Sequence, residues 1–135
     1  MSESAIAFIN PPALPAPPGY SQVVDIRSGR IVYIAGQVAL DRAGNLVGAG
    51  DLEAQADQVF RNLGAALAAV GLTARELVKL TVYLREMRGL PAYRKARDRF
   101  FGTTTPPAAP AITLVEVSRL YRDDALIEIE AVAAG

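Results

Sequence analysis

Apolar and polar positions alternate in short runs through most of this chain, and two longer stretches carry a helical stripe instead. Val23, Val24 and Ile26 stop at Ser28-Gly29, and Ile31-Val32-Tyr33-Ile34 follows, which predicts two strands around a turn. Val38 to Leu40 offers an extension of the second strand, and residues 41–44 and 48–50 are turn chemistry. Leu52, Ala56, Val59, Phe60, Leu63, Leu67 and Val70 then recur at three- and four-residue steps, with Glu53, Gln55, Asp57 and Arg61 off the stripe. That is an amphipathic helix capped by Asp51 and stopped by Gly71. Thr73-Ala74-Arg75-Glu76 has the spacing of a capping box and predicts a single turn.

Val78, Leu80, Val82 and Leu84 alternate with Lys79, Thr81, Tyr83 and Arg85, so the next strand has one apolar face and one unusually polar face. A second helix is predicted over residues 90–101, with Pro91 in its first turn and Leu90, Tyr93, Ala96 and Phe100 as its inner stripe. Residues 102–110 make a loop. Strands over 111–117 and 126–133 close the chain, the last with Ile127, Ile129 and Ala131 on one face and Glu128 and Glu130 on the other. The order β-β-α-β-α-β-β gathers the helices on one side of a mixed sheet, an α+β fold in one domain spanning 1–135. Two helices cover one face of a five-stranded sheet and leave the other toward water, with Leu114 and Val132 among its polar groups. Monomers rarely show large apolar patches, so a homo-oligomer with sheets facing one another is expected.

Five of the nine prolines lie between Pro11 and Pro18, so residues 1–19 are expected to be an extended lead-in. The 135 residues contain no cysteine and no histidine. Disulfides, thiol nucleophiles, Cys/His zinc sites and imidazole bases are thereby excluded. Fourteen cations balance fourteen anions, which disfavours nucleic-acid binding. No apolar run spans a bilayer, no secretory signal is expected, and the cytoplasm is the default compartment. No phosphate-cradling glycine motif occurs, so no cofactor is expected, and no metal either. Asp123-Asp124 fits a solvated turn better than a metal site. Glu128 and Glu130 share a strand face, as a catalytic carboxylate or as ordinary solvent-facing residues; Tyr20, after the prolines, suits a site wall or a packing anchor.

The ordered set of short motifs resembles the Rid/YjgF family, also called endoribonuclease L-PSP or translation inhibitor. It consists of Gly19-Tyr20-Ser21-Gln22, Tyr33-Ile34-Ala35-Gly36-Gln37, Asp41 to Gly48, Gln55, Val78 to Leu84, Phe100-Phe101-Gly102, Pro110-Ala111, Val115-Glu116-Val117 and Ile127 to Ala131. The resemblance implies a chorismate-mutase-like homotrimer with a small-molecule ligand in each intersubunit cleft. It also implies hydrolysis of imines and enamines to 2-oxo acids and ammonia without cofactor or metal. Position by position, the family's acid/base glutamate falls on Glu128 and its cleft tyrosine on Tyr20. Ala35, Gly36 and Gln37 line the cleft, with Ala35 where the family has a hydroxyl. The family's carboxylate-clamping arginine falls on Ile112, and a cleft-mouth asparagine falls on Arg94. A charge-assisted bond to a carboxylate contributes about 1.5–3 kcal/mol. Poor hydrolysis of 2-iminopropionate is therefore expected. Two roles stay open: a divergent imine or enamine hydrolase, and a trimeric small-molecule binding protein without turnover. An RNA-directed activity is the weakest reading.

Overall fold

The fold is drawn from a computed structural model that describes residues 5–102 and 109–135. The strands are β1 (Ile6–Ile9), β2 (Val23–Ile26), β3 (Ile31–Gln37), β4 (Leu77–Leu84), β5 (Ala111–Glu116) and β6 (Ile127–Ala134). The helices are α1 (Leu52–Ala68) and α2 (Leu90–Phe101), with single 3-10 turns at Ala74–Glu76 and Met87–Gly89. β3, β6, β4 and β5 form a four-stranded mixed sheet in that order, antiparallel except for the β4–β5 pair. The expected α+β arrangement, with two helices and a mixed sheet, is present.

Two expectations are corrected. The sheet has four strands, because β2 pairs with β1 in a separate antiparallel ribbon, Ile6 opposite Ile26 and Ile9 opposite Val23. The segment read as an extended lead-in therefore contains a strand. Its partner lies more than a dozen residues away across the prolines, and local pattern does not reveal that pairing. Leu114 is also on the other side of the sheet from its expected place. Parallel pairing sets it opposite Val82 and sets Ile112 opposite Leu80, so both pack against the core on the helix-covered face. Val132 lies on the open face, as expected, opposite Tyr33.

Helix α1 starts where Asp51 accepts a hydrogen bond from the Ala54 N–H. It ends in a Schellman arrangement, with Gly71 N–H donating to the Ala68 carbonyl and Leu72 N–H to the Leu67 carbonyl. The capping box at Thr73 and Glu76 is formed. Between helices and sheet lie Val59, Leu63 and Leu67 of α1, Leu80, Val82 and Leu84 of β4, and Ile127 and Ile129 of β6, all fully buried. Full burial of each such side chain is worth about 1.5–3 kcal/mol. Phe60 joins the helices by stacking on Phe100 at 5.0 Å between ring centroids. Arg99 of α2 ties the same helices outside the core by pairing with Glu53 and Asp57.

Gln55 corrects the expected polar side of α1. It is fully buried, and its amide is spent on the loops: Nε2 donates to the Gly48 and Asp124 carbonyls, and Oε1 accepts from the Leu126 N–H. A buried amide is tolerated because these bonds replace its water. The Asp123-Asp124 turn is thereby anchored through its backbone, and its carboxylates pair with Arg119 and Arg122. The Arg122 guanidinium holds the Asp124 carboxyl below its ordinary value.

Candidate functional site

Strand alternation divides the chemistry-bearing residues cleanly. The odd positions of β6 face the core, so Glu128 and Glu130 emerge on the open face, opposite Tyr83 and Thr81 of β4. Lys79 and Thr113 share that face, with Lys79 Nζ donating to Thr113 Oγ1 at 2.7 Å and to the Leu80 carbonyl. Tyr83 Oη donates to Glu130 Oε1 at 2.6 Å. This bond, reinforced by the Glu130 charge, raises the Tyr83 pKa. Burial lowers the affinity of Lys79 for its proton, and the nearby Glu130 carboxylate opposes that effect. Lys79, Thr81, Glu130, Val132, Tyr33 and Ala35 border an open concavity of about 550 Å³.

Glu128 lies at the irregular end of β3. The β3–β6 register shifts between Ile34 and Gln37, and Gly36 falls inside that irregularity. The Glu128 side chain lies over Gly36: a methyl group there would stand 2.6 Å from Glu128 Oε2 and 2.9 Å from its Cδ. Glycine is what admits the carboxyl to this part of the backbone. Burial first, and the Glu130 charge second, raise the Glu128 pKa above the ordinary glutamate value. A half-buried carboxyl that keeps its proton more readily than usual is suited to donating and recovering one.

The remaining candidates are dispersed around this point. Ala35 opens onto the sheet-face concavity and presents only a methyl group. Gly36 and Gln37 border a neighbouring groove of about 520 Å³, together with Asn62 and Tyr121. Gln37 Nε2 donates to the Ala35 carbonyl at 2.9 Å, bracing the bulge. Tyr20 is half-buried beside Ser21, whose N–H donates to the Pro110 carbonyl and whose hydroxyl donates to the Ala109 carbonyl. The end of the lead-in is thus fastened to the start of β5. Ile112 is on the covered face and Glu128 on the open face, so the fold of the chain does not bring them together. Arg94 is exposed on α2, in the helix layer on the far side of the sheet from Glu128. Residues 103–108 of the expected Pro/Thr loop lie outside the described residues.

The helix face around Arg94 is not uniformly solvated. Among its basic residues, Arg97 has a side chain that is only 11% exposed. The guanidinium lies 5.8 Å from the Tyr93 ring centroid and against the backbone of Gly19. Helical periodicity alone does not show this, because the covering chain comes from the lead-in. Among the described residues, no group of three or more acidic side chains is placed to hold a metal ion. No described helix is long and apolar enough to cross a membrane.

The model of the family described as Endoribonuclease L-PSP matches residues 11–135. The chain belongs to this family, also known as Rid/YjgF. The chain is 38% identical to the 2-iminobutanoate/2-iminopropanoate deaminase of Salmonella typhimurium, over 95% of this chain and 94% of that one. Its fold is similar to that of the Rid-family protein YyfB from Yersinia pestis, with TM-score 0.87, 34% identity, and coverage of 97% and 99% of the two chains. It is also similar to E. coli TdcF, whose structure carries bound serine, with TM-score 0.73, 28% identity, and coverage of 89% and 91%. These likenesses extend along nearly the whole chain, so the Rid fold frames every candidate residue above.

Proposed function

We propose that this Rid-family protein is a hydrolase of small imines or enamines, working without cofactor or metal, with Glu128 as the acid/base. The observation that carries this reading is the Glu128 carboxyl held over Gly36 with a raised proton affinity. In the proposed reaction the protonated carboxyl passes its proton to the imine nitrogen, and water adds to the carbon. The resulting carboxylate takes a proton from the added water, and collapse of the carbinolamine expels ammonia and leaves the carbonyl. The likeness to an iminobutanoate deaminase and to a serine-bound protein supports a ligand with an amino-acid-sized skeleton.

The site is completed between subunits of a homotrimer, with Tyr20 as a wall and Arg94 at the mouth of the cleft. Support for assembly comes from the open sheet face, where Tyr33 is 79% exposed beside exposed Ile31 on one edge strand and Val115 is exposed on the other. Light scattering is expected to give three times the 14.3 kDa chain mass; a monomer at micromolar concentration would remove the cleft. A second reading, a trimeric binder without turnover, draws on Ala35 and Ile112, neither of which offers a polar group to a substrate. The experiment that separates the two supplies imines made in situ from several amino acids and follows ammonia release. Hydrolysis above the spontaneous rate, lost by a factor of about 10²–10⁴ in Glu128→Gln, is expected. Tight binding with no acceleration by wild type would favour the binder.

A further inference from the structure

The chain holds two lysines, Lys79 and Lys95, and they stand in opposite surroundings. Lys95 is exposed on α2, whereas Lys79 is half-buried on the open face of β4. Lys79 Nζ donates to Thr113 Oγ1 at 2.7 Å and to the Leu80 carbonyl at 3.2 Å. A neutral amine has two N–H donors and one lone pair. With both donors engaged by these two acceptors, the lone pair is the remaining valence of the nitrogen. Burial lowers the Lys79 pKa, and it does so against the opposing Glu130 charge. A lysine amine partly withdrawn from water is a nucleophile toward carbonyl carbon. The proposed hydrolase chemistry makes no use of it.

The walls around Lys79 select what such an amine would meet. It borders the concavity of about 550 Å³ together with Tyr33, Ala35, Thr81, Glu130 and Val132. The Tyr33 ring, the Ala35 methyl group and Val132 suit a short apolar chain. Glu130, whose Oε1 accepts from the Tyr83 hydroxyl, sets a negative charge in the same wall. That charge repels an anionic ligand and favours a product carrying positive charge. Condensation with an aldehyde makes such a product. The Nζ lone pair bonds the carbonyl carbon, and the carbonyl π pair moves to oxygen, which takes the proton that Nζ gives up. The carbinolamine hydroxyl then leaves as water with one proton drawn from solvent by way of Glu130. Nitrogen keeps the new C=N bond and the positive charge.

We propose that Lys79 is a reversible covalent binding site for short neutral aldehydes, held as a protonated imine against Glu130 in the concavity of the open face. The site goes beyond the hydrolase reading and does not depend on it, since it uses neither Glu128 nor Tyr20.

Reductive trapping tests this on the intact wild-type protein, with Lys95 as an internal reference. The protein at neutral pH is treated with butanal and cyanoborohydride, and peptide mass mapping gives the adduct at each lysine. Lys79 should carry about fivefold more adduct than Lys95 or better. Glyoxylate, an aldehyde whose carboxylate would meet Glu130, should give a lower Lys79-to-Lys95 ratio than butanal; the ratio removes the difference in intrinsic reactivity between the two aldehydes. Glu128→Gln should lose imine hydrolysis yet keep the Lys79 excess, which separates failure of the acid/base assignment from failure of this site. Equal labelling of the two lysines in wild type, or a larger Lys79 excess with glyoxylate than with butanal, would overturn the proposal. So would protection of Lys79 relative to Lys95, the result expected if assembly closes over the concavity.

Discussion

The two faces of the four-stranded sheet are made by alternate residues of the same strands, and they follow opposite rules. On the covered face Leu80, Val82, Leu84, Ile127 and Ile129 are fully buried against α1. On the open face Lys79, Thr81, Tyr83, Glu128 and Glu130 hold carboxylates, an amine and a phenol within one another's electrostatic reach. Perturbed proton affinities on the open face come from residues that contribute little to packing. The covered face secures the fold, so the open face is free to carry groups that repel one another, such as Glu128 and Glu130.

Variants on the two faces should therefore separate stability from chemistry. Leu80→Ala removes a fully buried side chain from the covered face and should cost about 2–5 kcal/mol by urea denaturation. Loss of under 1 kcal/mol would mean that the core is less tightly organised than described. Gln55→Leu leaves the Gly48 and Asp124 carbonyls and the Leu126 N–H without their partner, and about 1–3 kcal/mol should be lost in the same assay. On the open face Gly36→Ala should leave stability nearly unchanged, because a flexible carboxyl can move away from the new methyl group. Imine hydrolysis should instead fall about tenfold, a barrier increase of about 1.4 kcal/mol. Equal loss from Gly36→Ala and Leu80→Ala in stability would erase the distinction between the faces.

Periodicity made the covered face legible. The α1 stripe, its Asp51 cap, the Thr73 capping box and the alternation in β4 and β6 all depend on neighbours within a few residues, and each is found where the pattern places it. Features set by distant segments were not legible. β1 needs β2 across the proline run, and Gln55 is buried because two loops converge on it. Leu114 takes its face from parallel pairing with β4, and Arg97 is covered because Gly19 docks on α2. For the site, the spacing of Glu128 and Glu130 revealed a shared face. It did not reveal that Gly36 admits one of the two carboxyls, since that depends on a register shift in β3.

The smallest expected effect is a linkage effect on the open face. A carboxyl whose pKa is raised on folding is destabilising once ionised, and that penalty appears as pH rises from below its unfolded value through its folded value. Glu128→Gln should accordingly be slightly more stable than wild type at pH 7 and indistinguishable at pH 3. Greater stability of wild type at pH 7 would mean that the carboxylate is held by favourable partners instead.

The central claim is that Glu128 is a proton-holding carboxyl in the ligand site, and carbon-detected NMR titration of its side chain addresses this most directly. With the assigned Glu128 signal followed from pH 3 to pH 8, with and without 2-oxobutanoate, the account predicts a midpoint above the ordinary glutamate value. It also predicts a clear displacement of that midpoint when the ligand is present. An ordinary midpoint that the ligand leaves unmoved would return Glu128 to the role of a solvent-facing strand residue.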